Sequence, residues 1–366
     1  MARKKWEAIQ AKVKSEKTLG NPTLGYEKMY SGDEVNYTVS QEFPFPGKLY
    51  AKGRIATYES LMAEQAYRAK EKEIRAEVKK TYALFLLAHQ SSELFKETVD
   101  LMEQFARIAE SKYAAGKGLQ SDALKAQTEL SKMIQMKIMA EAEKETAQAM
   151  LNVLLNLPVE NRLEIRDVSS KKNINLKLEE GLNLAAQNRP ELLEAQHHAR
   201  HFGTMLWSSR LEYLPDFMVS YRYRTARSPS MDKTYDIMVG ASVPLWFWKQ
   251  KSMVTAAKLE NEMANYEYKS MQNRTQFEVK NSFVKIQASQ NLLGLYESAI
   301  LPQAKSALKV SQASYVGDKV SFLELLDAQR SYLEAQLENF KLVADYQGQI
   351  ADLERILGIE IAEVQP

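Results

Sequence analysis

The 366-residue sequence predicts a mainly α-helical protein with a small β part, built as two copies of one layout. Three observations predict it. Long proline-free runs are dominated by good helix formers. Short segments upstream of those runs alternate apolar and polar residues. Both features recur in the same order about 200 residues later.

Composition narrows the function classes. Cysteine is absent, which excludes disulfides, zinc–thiolate sites, iron–sulfur clusters and a cysteine nucleophile. Lys+Arg 49 against Asp+Glu 47 leaves a formal charge of +2, so no global field points at nucleic acid. The longest fully apolar stretch, Tyr82 to Ala88, falls far short of the roughly 20 residues a membrane helix needs. The N-terminus MARKKWEAIQAKVKSEK starts basic but has no apolar segment, so it does not read as a secretory signal. A transmembrane β-barrel stays open, because its strands alternate and score weakly on hydropathy.

The first repeat covers residues 1–158. Leu24, Tyr26 and Tyr30, then Val35, Tyr37, Val39 and Phe43, alternate with polar or small residues and predict a β-hairpin over about 23–43. Between Pro46 and Pro158 there is no proline, and the only glycines are Gly47, Gly53, Gly116 and Gly118. This predicts a helical hairpin over about 48–157, with helices at about 48–115 and 121–157 joined through Ala114–Gln120. The first helix would be on the order of 100 Å long and must lie in a bundle or coiled coil. From Leu119 to Leu154 a heptad-spaced stripe is apolar at nine of eleven positions, which predicts coiled-coil packing; its alanines predict close helix approach.

A linker at 159–178 leads to the second repeat, 179–366. It holds a helix over about 179–212, a β-hairpin over about 216–243 and a helical hairpin over about 249–357. Phe217, Val219, Tyr221 and Tyr223, then Tyr235, Ile237, Val239, Ala241 and Val243, form its alternating rows. Tyr113, Lys117, Leu124 and Ala126-Gln127 recur as Tyr315, Lys319, Leu326 and Ala328-Gln329 at an offset of 202, and the heptad stripe recurs with them. Pro302 should kink the long helix of this copy. Each hairpin has one apolar-aromatic face and one polar face, which suits a half-buried sheet or a membrane barrel. Four strands cannot close a barrel, so they must pack on something else or be completed by other protomers; a trimer would supply twelve.

The chain resembles the TolC-like outer membrane factors of efflux systems over nearly its whole length. The residues that carry the likeness are Ser40-Gln41-Glu42-Phe43-Pro44-Phe45-Pro46-Gly47-Lys48 entering the first long helix and Asn188-Arg189-Pro190-Glu191-Leu192 before the second hairpin. The turn signatures Tyr113…Asp122…Ala126-Gln127 and Tyr315…Glu324…Asp327-Ala328-Gln329 complete the set. The QEFPFPGK form is similar to the heavy-metal (CzcC/CusC-like) branch.

The resemblance implies a homotrimer with a twelve-stranded outer-membrane barrel in contact with lipid and a helical periplasmic tunnel. It also implies a periplasmic adaptor and an inner-membrane pump, of the RND type, as partners, with no cofactor. It places the periplasmic constriction on Glu324 and Asp327, with Asp122 and Lys125 as first-copy counterparts. It places adaptor-docking turns at Tyr113, Gly116, Tyr315, Gly317 and Asp318. The family's Tyr-x-x-Gly is met by Tyr113-Ala-Ala-Gly116 but not by Tyr315-Val-Gly317-Asp318, where glycine comes one place early. The counterpart of Pro190 would fall before residue 1, so the sequence reads as starting inside the first helix.

Other residues invite specific readings. Tyr221, Tyr223, Tyr235, Trp246 and Trp248, with Tyr213 and Phe247, read as an interfacial aromatic girdle or as the core beneath a soluble sheet. His197 and His201 have the i, i+4 spacing of helical metal ligands, near Glu194 and His198, but no third helix ligand is identifiable. Met29, Met218 and Met238 fall on the polar strand face, and Arg222, Arg224 and Arg227 line the outer mouth or sit on a solvated loop. No nucleophile elbow, Walker loop or dinucleotide fingerprint is present, so an enzyme is not predicted. The expected function is a passive exit duct exporting metal ions or small toxic compounds. The alternatives are a type I protein-secretion duct and a soluble coiled-coil structural protein.

Overall fold

The structure is a computed structural model that describes residues 1–29, 34–165, 176–225 and 234–361. Tyr30 and Arg227 lie outside the described residues. Eight helices and one antiparallel sheet make up the fold among these residues. The order is α1 (Ala2–Glu16), β1 (Thr23–Met29), β2 (Glu34–Phe43), α2 (Pro46–Ala114), α3 (Gln120–Leu154), α4 (Leu178–Asn188), α5 (Pro190–Leu211), β3 (Asp216–Thr225), β4 (Thr234–Ser242), α6 (Phe247–Leu295), α7 (Leu301–Val316) and α8 (Phe322–Leu357). Helix, two strands, long helix, turn and long helix thus occur twice.

Contacts divide the chain across these repeats. One compact unit contains residues 1–70 and 186–276; the other contains residues 71–185 and 277–366. The first holds the sheet, where helices approach over small side chains: Ala51, Ala56, Ala257 and Ala264 are buried. The second holds two apolar clusters. One joins Met102, Phe105 and Ala126 to Tyr315, Phe322 and Leu325. The other joins Val279 and Ile286 to Leu353 and Leu357. The heptad stripe of α3 is what this packing selects, since Ala123, Ala126, Met133, Ala140 and Leu151 are buried. Leu124, Ile138 and Met139, off that stripe, remain exposed.

Local chemistry shifts three boundaries from expectation. The helix anticipated over 179–212 is two helices, because Pro190 forces Arg189 out of the helical region to φ −66°, ψ 115°. The helix anticipated to reach 157 ends at Leu154, where Asn156 turns to φ 55° and the Leu157 N–H donates to the Asn152 carbonyl at 2.8 Å. Pro302 is accommodated by a π-helical turn at Tyr296–Ile300 between α6 and α7. There the Ser298 hydroxyl donates to the Gly294 carbonyl at 2.6 Å.

Candidate functional site

The sheet runs β1-β2-β3-β4, so the two copies meet at its centre, through β2 and β3. β1 and β4 are its edges. Register places Tyr26, Tyr37, Tyr223 and Tyr235 opposite one another, a tyrosine row across all four strands. The next row on the same face is Leu24, Val39, Tyr221 and Ile237. This face is open: Leu24 is 76% exposed and Val239 72%. The opposite face carries Asn36 and Ser220, at 2% and 3%. There the Ser220 hydroxyl donates to Ser40 at 2.8 Å, and Arg224 pairs with Asp236. Exposed apolar side chains on one face and buried polar ones on the other invert the arrangement of a soluble sheet.

Of the expected girdle, Tyr221 and Tyr235 stack with centroids 6.2 Å apart, and Tyr223 lies in the tyrosine row. Trp246 and Trp248 pair at 5.4 Å where β4 passes into α6. Sequence reasoning left Tyr26 and Tyr37 out of that set. Their alternation was visible, but only register aligns them with the second copy. All four strands meet helices at one end of the sheet, and a clasp joins the copies there. Asp216 accepts from the Phe45 N–H and from the buried Lys48 ammonium, both at 2.9 Å.

The helical turns lie in the other compact unit. In the first turn Gly116 has φ 69°, its N–H donates to the Tyr113 carbonyl, and the Lys117 N–H donates to the Lys112 carbonyl, both at 2.9 Å. In the second turn Asp318 takes the left-handed place at φ 57°, with its N–H on Tyr315 and the Lys319 N–H on Ser314. Gly317 stays at φ −83°. The early glycine therefore leaves the backbone pattern intact, and aspartate, which tolerates this region better than most residues, holds it. Asn156 and Gly358 repeat the relation at the hairpin ends.

The two tyrosines part company. Tyr113 is exposed, whereas Tyr315 is buried against Phe322 with ring centroids 5.4 Å apart. The Tyr315 ring is therefore a core group, 6% exposed. Burial raises its pKa, and Asp122 and Asp318 add to the shift. Lys112, unremarked in the sequence, holds the turns together. Its ammonium sits 4.3 Å from the Tyr315 ring centroid, donates to the Tyr315 carbonyl and pairs with Asp318. The hydrogen bond from Lys112 holds the Asp318 carboxyl below its ordinary value.

Glu324 and Asp327 are both exposed, but they differ in local role. Glu324 closes a capping box on α8: its carboxylate accepts from the Ser321 N–H at 3.0 Å, and its own N–H donates to the Ser321 hydroxyl at 3.3 Å. Ser321-x-x-Glu324 was readable as that motif. Asp122 is half-buried in the first turn of α3, and Lys125 is exposed. Nearby, Glu129 is buried yet hydrogen-bonded to Lys132 and Arg330; burial opposes ionisation, and these cations outweigh it, lowering its pKa.

The histidines face glutamates on other helices. His201 Nε2 lies 3.4 Å from Glu59, and His198 Nδ1 lies 3.4 Å from Glu267. The His197 ring is 6.3 Å from that of Tyr58. Burial pushes His197 and His201 below the usual imidazole range. No group of three metal-ligating side chains converges among the described residues. Met218 and Met238 share the polar sheet face, opposite Glu42 and Ser220.

A sheet that turns its apolar side outward and leaves both edges unpaired among the described residues has the pattern of strands in outer-membrane barrels. The chain belongs to the outer membrane efflux protein family, which residues 2–157 and 181–359 match. It is an outer-membrane protein of an efflux-channel family. Its fold is similar to that of the outer-membrane channel OprN, with a TM-score of 0.84, 17% identity, and coverage of 98% of this chain and 86% of that one. CusC, whose crystal structures concern folding and transmembrane channel formation, gives 0.82, 18%, 98% and 88%. The outer membrane protein VceC from Vibrio cholerae gives 0.82, 17%, 99% and 92%. No curated protein sequence matches the chain.

Proposed function

We propose that three copies of the chain close a twelve-stranded barrel and form the exit duct of a tripartite efflux system. Substrate, metal ions or small toxic compounds, passes outward passively. The observation that carries this reading is the pair of unlike edges. β1 comes from the first repeat and β4 from the second, so the β4 edge of one protomer meets the β1 edge of the next, head to tail. Such a contact closes into a ring, and four strands per copy need other copies to reach a workable bore. The ten-residue strands β2 and β3, tilted at about 40°, would span roughly 26 Å, the height of an outer-membrane apolar band. The apolar side chains that α3 leaves exposed supply further surface for neighbouring copies.

In this reading repeats 1–158 and 179–366, with their linker, alternate around the ring. Asp327, exposed and outside the capping box, is the principal constriction acid, beside Asp122 and Lys125. Three copies concentrate its charge, which attracts cations. The exposed Tyr113, with the turns at Gly116, Gly317 and Asp318, forms the surface for a periplasmic adaptor, and through it an inner-membrane pump of the RND type. Light scattering in detergent should give about three times the 41.8 kDa chain mass. A monomer that remains soluble without detergent would refute the duct.

A further inference from the structure

The end of the sheet that meets the helices carries a one-sided charge. Lys17 follows α1, Lys52 and Arg54 lie on the second and third turns of α2, and Arg210 lies on the last turn of α5. Lys249 and Lys251 open α6. All six are exposed, and none forms an ion pair among the described residues. Acids are few there: on residues 15–22, 46–54, 207–216 and 245–252, Glu212 and Asp216 share the buried Lys48, which leaves Glu16, and Glu42 is exposed at the end of β2. At the opposite end, Lys28, Arg222 and Arg224 are balanced by Glu27, Glu34 and Asp236, and Arg224 and Asp236 pair.

Exposed aromatic rings border the basic end. Tyr50 and Trp207 meet edge-to-face at 5.9 Å, and Trp246 and Trp248 lie on the passage into α6. On the two helices that leave the sheet the cations sit just beyond these rings: the Arg54 guanidinium is 5.9 Å from the Tyr50 centroid, and Lys249 follows Trp248, whereas Arg210, on the helix that enters the sheet, lies on the sheet side of Trp207. At 1.5 Å per residue, Lys249 and Lys251 lie within about 10 Å of the first residue of α6. Amphipathic rings mark the boundary between lipid and water, and cations a few ångströms beyond them stand at headgroup depth.

We infer that this basic collar binds the headgroups of anionic phospholipids in the leaflet facing the helices. The inference rests on the barrel reading. A phosphate that carries net negative charge complements the collar, whereas a zwitterionic headgroup offsets its own phosphate. Each cation near an anionic surface contributes enough to change local lipid occupancy several-fold, and salt should screen the effect.

The test uses the full chain in phosphatidylcholine vesicles with trace spin-labelled phosphatidylglycerol or trace spin-labelled phosphatidylcholine. The expected result is about fivefold preferential association of phosphatidylglycerol at low salt. The preference should fall toward onefold in high salt and in the K52Q/R54Q/K249Q/K251Q variant. Insertion is scored separately, as resistance to alkaline extraction. A chain that inserts without lipid preference, or whose preference survives the fourfold variant, overturns the collar and leaves the barrel standing. A chain that is extracted overturns both.

Discussion

Gly116→Ala isolates the backbone contribution to the turn between α2 and α3. Gly116 has φ 69°, and a Cβ added there meets nothing within 4 Å. Clashes beyond the adjacent backbone are therefore absent, and the left-handed conformation alone sets the cost, about 1–2 kcal/mol. The turn is closed by the Lys117 N–H on the Lys112 carbonyl at 2.9 Å, so that amide reports local opening. Its hydrogen exchange should accelerate roughly 5- to 30-fold. Gly294→Ala is the matched control. It also meets nothing within 4 Å, but Gly294 lies inside α6. There alanine should stabilise by about 0.5–1 kcal/mol and slow local exchange. Equal effects of the same sign at both sites would refute the assignment of the turn's stability to a left-handed residue.

Five further outcomes follow from the same geometry. Val239→Arg, on the open apolar face, should reduce stable insertion into vesicles, at a cost of about 2–4 kcal/mol near the bilayer centre, while Met238→Arg on the opposite face should still insert; equal loss would contradict the face assignment. Phe322→Ala empties a site that is 1% exposed and should destabilise by about 3–5 kcal/mol, measured by denaturant unfolding. Glu129 has its pKa lowered in the folded chain. Its contribution is therefore present above the ordinary glutamate value of about 4.3 and lost as pH falls through and below it; Glu129→Gln should flatten that part of the stability–pH curve. Asp327→Asn should lower the cation preference of single-channel currents with little change in stability. Glu324→Gln should chiefly loosen the start of α8, by about 1 kcal/mol.

Much of the layout was legible because it rests on periodicity. The α3 stripe from Ala123 to Leu154 has the spacing of a buried seam, and those side chains are buried or half-buried. Strand alternation was equally direct. What stayed hidden depended on partners distant in sequence. Tyr113 and Tyr315 occupy matching places, yet one is exposed and the other is buried against Phe322, because Lys112 and the α8 cap gather around the second turn. Asp318 gave no sign of its left-handed backbone because a glycine stands immediately before it. The proline at 190 was visible, and the break it imposes at Arg189 follows from a steric rule that a helical pattern overrode.

The sequence by itself determined the helices, the strands, their duplication and the family likeness. Each depends on residue type at a fixed spacing, which the chain carries locally. Tertiary structure decided which copies pair across the sheet, which tyrosines share a row, and that the apolar face is the open one. It also decided that Tyr315 is buried while Tyr113 is exposed. Those outcomes depend on register and on contacts between residues up to two hundred positions apart, and no local pattern encodes them.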